Sequence, residues 1–203
     1  MKLSKNFSLK ELTTSQTAER KGINNNPNED QINGLQRLCE NILQPVRDEY
    51  ATPVTVSSGF RSPELCVAIG SSTNSQHAKG QAADFEIFGV SNQELAHYID
   101  KNLDYDQLIL EYWKPEEPNS GWVHCSYKNK DDNRKQFLRA YRNESGKTCY
   151  EEYSYRVHAK PKANWTKEEI NDLLAETRHW QLDTLEIVWY NCYIKLRKVY
   201  YGF

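Results

Sequence analysis

Residues 75–84 read Ser-Gln-His-Ala-Lys-Gly-Gln-Ala-Ala-Asp, and no other stretch constrains this chain as strongly. The segment is polar, carries a glycine, and ends in a carboxylate that enters the apolar run Phe85-Glu86-Ile87-Phe88. His77 and Asp84 are seven residues apart, too far for neighbouring turns of one helix and suited to a loop that feeds a strand. A carboxylate at the mouth of an apolar strand needs a cation or several donors to offset its desolvation. A neutral imidazole and a carboxylate brought together in this way are two ligands for a divalent metal, with zinc the best match. Forty residues beyond Asp84, the run Gly121-Trp122-Val123-His124-Cys125-Ser126-Tyr127 offers a third. Alternation sends Trp122, His124 and Ser126 to one face, and Val123, Cys125 and Tyr127 to the other. His124 is the expected ligand with Cys125 packed behind it; Cys125 as ligand is the alternative. Two imidazoles and one carboxylate leave a fourth position open, as in catalytic rather than structural zinc sites.

The rest of the chain reads as alternating short elements. Asn26-Pro27 predicts a helix start, followed by a stripe of Ile32, Leu35, Cys39, Ile42, Leu43 and Val46 at helical spacing, with Pro45 kinking the last turn. Pro53–Val56 and the residues after Asp84 are strands, and Ser91 with Glu94 opens a helix to Leu103. His97 on that helix reads as a surface histidine. Gln107–Tyr112 and Gly121–Tyr127 are two further strands, and 134–142 reads as a closing helix. The expected class is α+β, a small and mainly antiparallel sheet with helices on one side.

Composition narrows the partners. The formal net charge of −2 over 203 residues gives no reason to expect nucleic acid. Five cysteines without CxxC pairs argue against a disulfide framework and fit a reducing compartment. No apolar run approaches the ~20 residues of a transmembrane helix. The start, Met-Lys-Leu-Ser-Lys-Asn-Phe-Ser, lacks the apolar core of a signal peptide. The expectation is a chain made in a cytoplasm that reaches any outside substrate by other means.

The motif SxHxxGxAxD is matched in full by Ser75, His77, Gly80, Ala82 and Asp84, after Ser58-Gly59-Phe60-Arg61-Ser62-Pro63-Glu64-Leu65 and before Gly121-Trp122-Val123-His124. In this order the three motifs resemble the zinc D-alanyl-D-alanine carboxypeptidases and peptidoglycan endopeptidases of the hedgehog-like fold, phage endolysins among them. The resemblance runs over about residues 5–142. It implies zinc on His77, Asp84 and His124, and a peptide of peptidoglycan as substrate. It also implies a role for Arg61, whose planar fork suits a substrate carboxylate; the plainer reading is an arginine that holds its own turn. Ser75 and Gln76 are candidates for substrate hydrogen bonds or for orienting His77. Some relatives carry a Glu three residues before the last histidine, where this chain has Gly121, and others a histidine five before, where it has Asn119. The remaining acids nearby are Glu111, Glu116 and Glu117. Strand alternation puts Gln107, Ile109 and Glu111 on one face, so Glu111 is the candidate general base, against the plainer reading of a surface glutamate at a strand end.

Asn143-Glu144-Ser145-Gly146-Lys147 reads as a boundary. The expected organisation is a zinc peptidase domain over 1–145 and a C-terminal accessory extension over 146–203, built as a helical hairpin. The extension carries Trp180, Trp189, Tyr193 and Tyr200, a stripe suited to its own core or to contact with a glycan, a virion or a second copy. Its His158 and His179 have no ligand-like neighbours. Two functions therefore stand: a zinc peptidase acting on the bacterial wall after release or from a virion, and a zinc-holding module of a virion or wall-docking protein without catalysis.

Overall fold

The structure is a computed structural model, and it describes residues 1–114 and 116–153. The helical hairpin expected in the extension, with Trp180, Trp189, His158 and His179, lies outside the described residues. The architecture is α+β. Two short helices, α1 (Leu9–Thr13) and α2 (Gln16–Lys21), are capped by Ser8 and Ser15. The main helical arm follows as α3 (Glu29–Leu38), a π turn over Cys39–Leu43, and α4 (Gln44–Tyr50). Its cap is Asn28, in a reciprocal capping box with Gln31, two residues later than the expected Asn26. Pro45 has no N–H to continue the ladder, and the chain widens into the π turn just before it rather than breaking.

Six strands form one sheet in the order β1-β2-β4-β3-β5-β6. They are β1 (Val54–Ser58), β2 (Ala82–Ile87), β3 (Gln107–Glu111), β4 (Trp122–Ser126), β5 (Gln136–Arg142) and β6 (Thr148–Glu152). All neighbours are antiparallel except β3 and β5, which run parallel. Helix α5 (Pro63–Ala68) follows β1, and α6 (Asn92–Asn102) links β2 to β3. Ala83, Phe85, Leu108, Leu110, Val123 and Cys125 face the helices and join Leu35, Leu38, Ile42, Leu95 and Ile99 in the core. The other sheet face carries the site.

Residues 134–142 are a strand, not the expected closing helix. Phe137 and Tyr141 are four apart, so a helical stripe is legible in the sequence, yet the outer edge of β3 offers a full row of unpaired backbone groups. Pairing with that edge wins: Leu110 faces Arg139 and Glu111 faces Ala140 across the parallel ladder. The Phe137 ring also stacks on Tyr153 at 4.2 Å between centroids. Residues 143–147 form the turn of the β5–β6 hairpin, and β6 continues the sheet through Glu152 beyond it. His97 is not a free surface group either. It is half-buried, and its Nε2 lies 2.8 Å from the Tyr153 hydroxyl.

Candidate metal centre

Three polar side chains meet beneath the loop that joins α5 to β2. His77 is 3% exposed, Asp84 6% and His124 8%. The strands bring two of them together, because Asp84 and His124 are direct partners on β2 and β4. The third arrives on a turn in which the Gln76 carbonyl accepts from Lys79 and Gln81 N–H. Gly80 makes that turn possible. Its φ is +67°, and a Cβ there would stand 2.2 Å from the Gln31 carbonyl oxygen.

The tautomer of His77 follows from its surroundings. Its Nδ1 is 2.7 Å from the Gly59 carbonyl oxygen, which can only accept, so Nδ1 carries the proton and Nε2 offers a lone pair. Burial pushes the His77 pKa down, against the opposing pull of Asp84, which favours the neutral ligand form. His77 Nε2 lies 3.2 Å from His124 Nδ1 and 3.3 Å from Asp84 Oδ1, and Asp84 Oδ1 is 2.8 Å from His124 Nδ1. In a tetrahedral zinc shell with bonds of about 2.0–2.1 Å, donors stand roughly 3.3 Å apart. The donor set and its spacing fit a metal ion. Burial by itself raises the Asp84 pKa, but both imidazoles outweigh it and hold the carboxyl well below the usual carboxylate range. Its second oxygen, Oδ2, accepts from Arg61 Nη2, while Arg61 Nε donates to Ser58 Oγ at 2.8 Å.

A profile of the Peptidase M15 family matches residues 5–126. The chain belongs to that family. No curated protein matches it. Peptidase M15 members are metal-dependent peptidases, and the three buried ligand atoms of this member lie inside the matched segment.

The other residues singled out from the M15 motifs fall at different distances from the chemistry. Cys125 is ruled out as a ligand: it is fully buried on the helix-packed face, where burial pushes its thiol up. Glu111 is on the site face, since Ile109 pairs with His124 and Glu111 with Trp122. Burial raises its pKa, with His124, Asp84 and Arg61 acting on it electrostatically. Glu116 and Glu117 are exposed on the following turn, and Glu117 pairs with Lys114 at 3.1 Å. Ser75 Oγ accepts from Ala78 N–H at 3.4 Å, capping the ligand turn. Gln76 Nε2 is donated to Asp106 at 2.7 Å, an arrangement that fits orientation of the turn better than a substrate contact. Gly121 explains why this member lacks an acid three residues before His124. Its φ is +66°, and a Cβ would fall 1.8 Å from the Glu111 carbonyl oxygen. Sequence reasoning missed the Gly59 carbonyl and Asp106. A backbone acceptor leaves no side-chain signal, and Asp106 looks like an ordinary acid before a strand.

Among the described residues, no helix is long and apolar enough to cross a membrane.

Proposed function

We propose that this chain is a zinc peptidase that hydrolyses a peptide bond in peptidoglycan stem peptides or their cross-links, in the setting of a phage-borne lysin. The observation that carries the reading is the convergence of His77 Nε2, Asp84 Oδ1 and His124 Nδ1 on one buried point. Zinc held by these three residues would lower the pKa of a water molecule to about 7 and polarise a carbonyl. Glu111, raised in basicity by burial, takes the proton of the attacking water and delivers it to the leaving amine. Arg61, fixed beside Asp84, takes a carboxylate of the substrate. Asp84 stays ionised throughout, clasped by Arg61 from its outer oxygen. Purified peptidoglycan is the test substrate. Amine release should vanish with a chelator, return with added zinc, and be absent in His77→Ala together with bound metal. Peptides with free and amidated C-termini separate a carboxypeptidase from an endopeptidase.

One feature favours a second reading, a zinc-holding module without catalysis: glycine stands at position 121, where the family resemblance leads one to expect an acid in some members. Zinc bound at one per chain with no amine release from any peptidoglycan preparation would establish that reading instead.

A further inference from the structure

Asp106, at the entrance to β3, is far more heavily bonded than a strand-end acid needs to be. Its side chain is 0% exposed. Five donors reach the carboxylate: Arg134 N–H at 3.2 Å, Arg134 Nε at 2.8 Å, Arg134 Nη2 at 2.7 Å, Lys128 Nζ at 2.9 Å and Gln76 Nε2 at 2.7 Å. A buried carboxylate is costly unless it is paired and hydrogen-bonded, and the arginine fork with the lysine meets that demand. The amide of Gln76 is not required for it. Its orientation is unambiguous, because a carboxylate accepts and the amide nitrogen must face it.

What the Gln76 bond adds is a link to the ligand turn. Gln76 immediately precedes His77, and its carbonyl accepts from Lys79 at 3.2 Å and Gln81 at 2.9 Å, closing the turn that presents the imidazole. The other histidine is tied to the same carboxylate-bearing residue. Asp106 N–H donates to the Ser126 carbonyl at 2.8 Å, two residues beyond His124 on β4. Asp106 therefore stands between the segments that carry the two imidazole ligands, with the 128–134 loop bound on its far side.

We infer that Asp106 is a positioning residue for the metal site, which through Gln76 sets the separation of His77 from His124. The inference rests on the proposed metal site. It does not touch the ion or the substrate, so its effect is read in metal affinity rather than in turnover alone. Groups that hydrogen-bond a metal ligand directly typically change affinity by about 10- to 100-fold when deleted, and Asp106, which reaches His77 only through Gln76, falls at the lower end of that range.

The test is zinc affinity measured by chelator competition on the full chain, alongside the melting temperature of the zinc-free protein. Gln76→Leu replaces the amide with a slightly shorter apolar side chain and removes the donor, while Asp106 retains Arg134 and Lys128. It should weaken zinc binding by about 10-fold, with the zinc-free melting temperature lowered by no more than the few degrees that one lost hydrogen bond costs. Asp106→Asn should also weaken binding, because its amide sets two donors against Arg134, Lys128 and Gln76, and in the double variant the two effects should be less than additive. If Asp106→Asn does not fold, Gln76→Leu decides by itself. Zinc affinity in Gln76→Leu equal to that of the unmodified protein overturns the inference and leaves the metal site intact. An unmodified protein that binds no zinc overturns both.

Discussion

Gly121 and Glu111 meet backbone to backbone: a Cβ on residue 121 would lie 1.8 Å from the Glu111 carbonyl oxygen. The position where the family resemblance would place an acid is closed to any side chain, and the strand end that closes it carries an acid of its own. Gly121→Ala should destabilise the protein by about 1–3 kcal/mol, from overpacking and from a left-handed φ imposed on a residue with a Cβ. Urea unfolding checks this. Gly121→Glu should be worse still and should not raise activity; a stable and faster Gly121→Glu protein would remove the steric argument.

Glu111→Gln keeps the shape and removes the basicity. Turnover should fall by about 10²–10⁴-fold while zinc stays bound. Burial raises the Glu111 pKa, and a base must be ionised to act. Activity of the unmodified enzyme should therefore fall as pH drops through a value above the ordinary ~4.3 of glutamate. An acid limb that survives in Glu111→Gln would assign the base elsewhere, with Glu116 and Glu117 next in line.

Arg61 is tied to Asp84 and Ser58. If it also takes the substrate carboxylate, Arg61→Ala should lower kcat/KM by roughly 10- to 100-fold, the worth of a charge-assisted bond of about 1.5–3 kcal/mol. The loss should be smaller for substrates whose carboxylate is amidated. An equal loss on both substrates, with a lower melting temperature, would leave Arg61 as a support for its turn and for Asp84 alone.

Acid should undo the Asp106 cluster in a defined window. Burial alone would raise the Asp106 pKa, but hydrogen bonds from Arg134, Lys128 and Gln76 hold it well below the usual carboxylate range. A depressed native pKa means that the unfolded chain takes up the proton first. The stabilisation is complete above about pH 4 and lost progressively below it. In zinc-free protein, Asp106→Asn should be less stable near neutrality, with the gap to the unmodified protein narrowing as pH falls below about 4. A gap that stays constant across that range would contradict the assignment.

Residues Met1–Ala159 form one compact unit, and the family match ends at residue 126. A chain ending at Ala159 should fold and bind zinc with unchanged affinity. A chain ending at Ser145 loses β6 and the Tyr153 ring stacked on Phe137, so it should be less stable. Zinc titration and thermal melts of the two chains check both statements. Loss of zinc from the longer one would make the C-terminal part integral to the site.

That His77, Asp84 and His124 should come together was legible in the chain alone, because metal chemistry restricts residue types and a loop–strand junction restricts their order. Alternation was enough to set Cys125 behind His124 and to give Glu111 the right parity, since side chains change faces at every strand residue. Three things needed the tertiary structure. Parity does not fix register, and the pairing of Glu111 with Trp122 depends on Gly121 admitting a close backbone approach. The run 134–142 carries both helical and strand spacing, and only the open edge of β3 chooses between them. Asp106 and Gln76 are thirty residues apart, and a hydrogen bond between such residues has no local signature. Local chemistry wrote the ligands into the sequence, whereas their supports arise from long-range pairing that exists only once the sheet has closed.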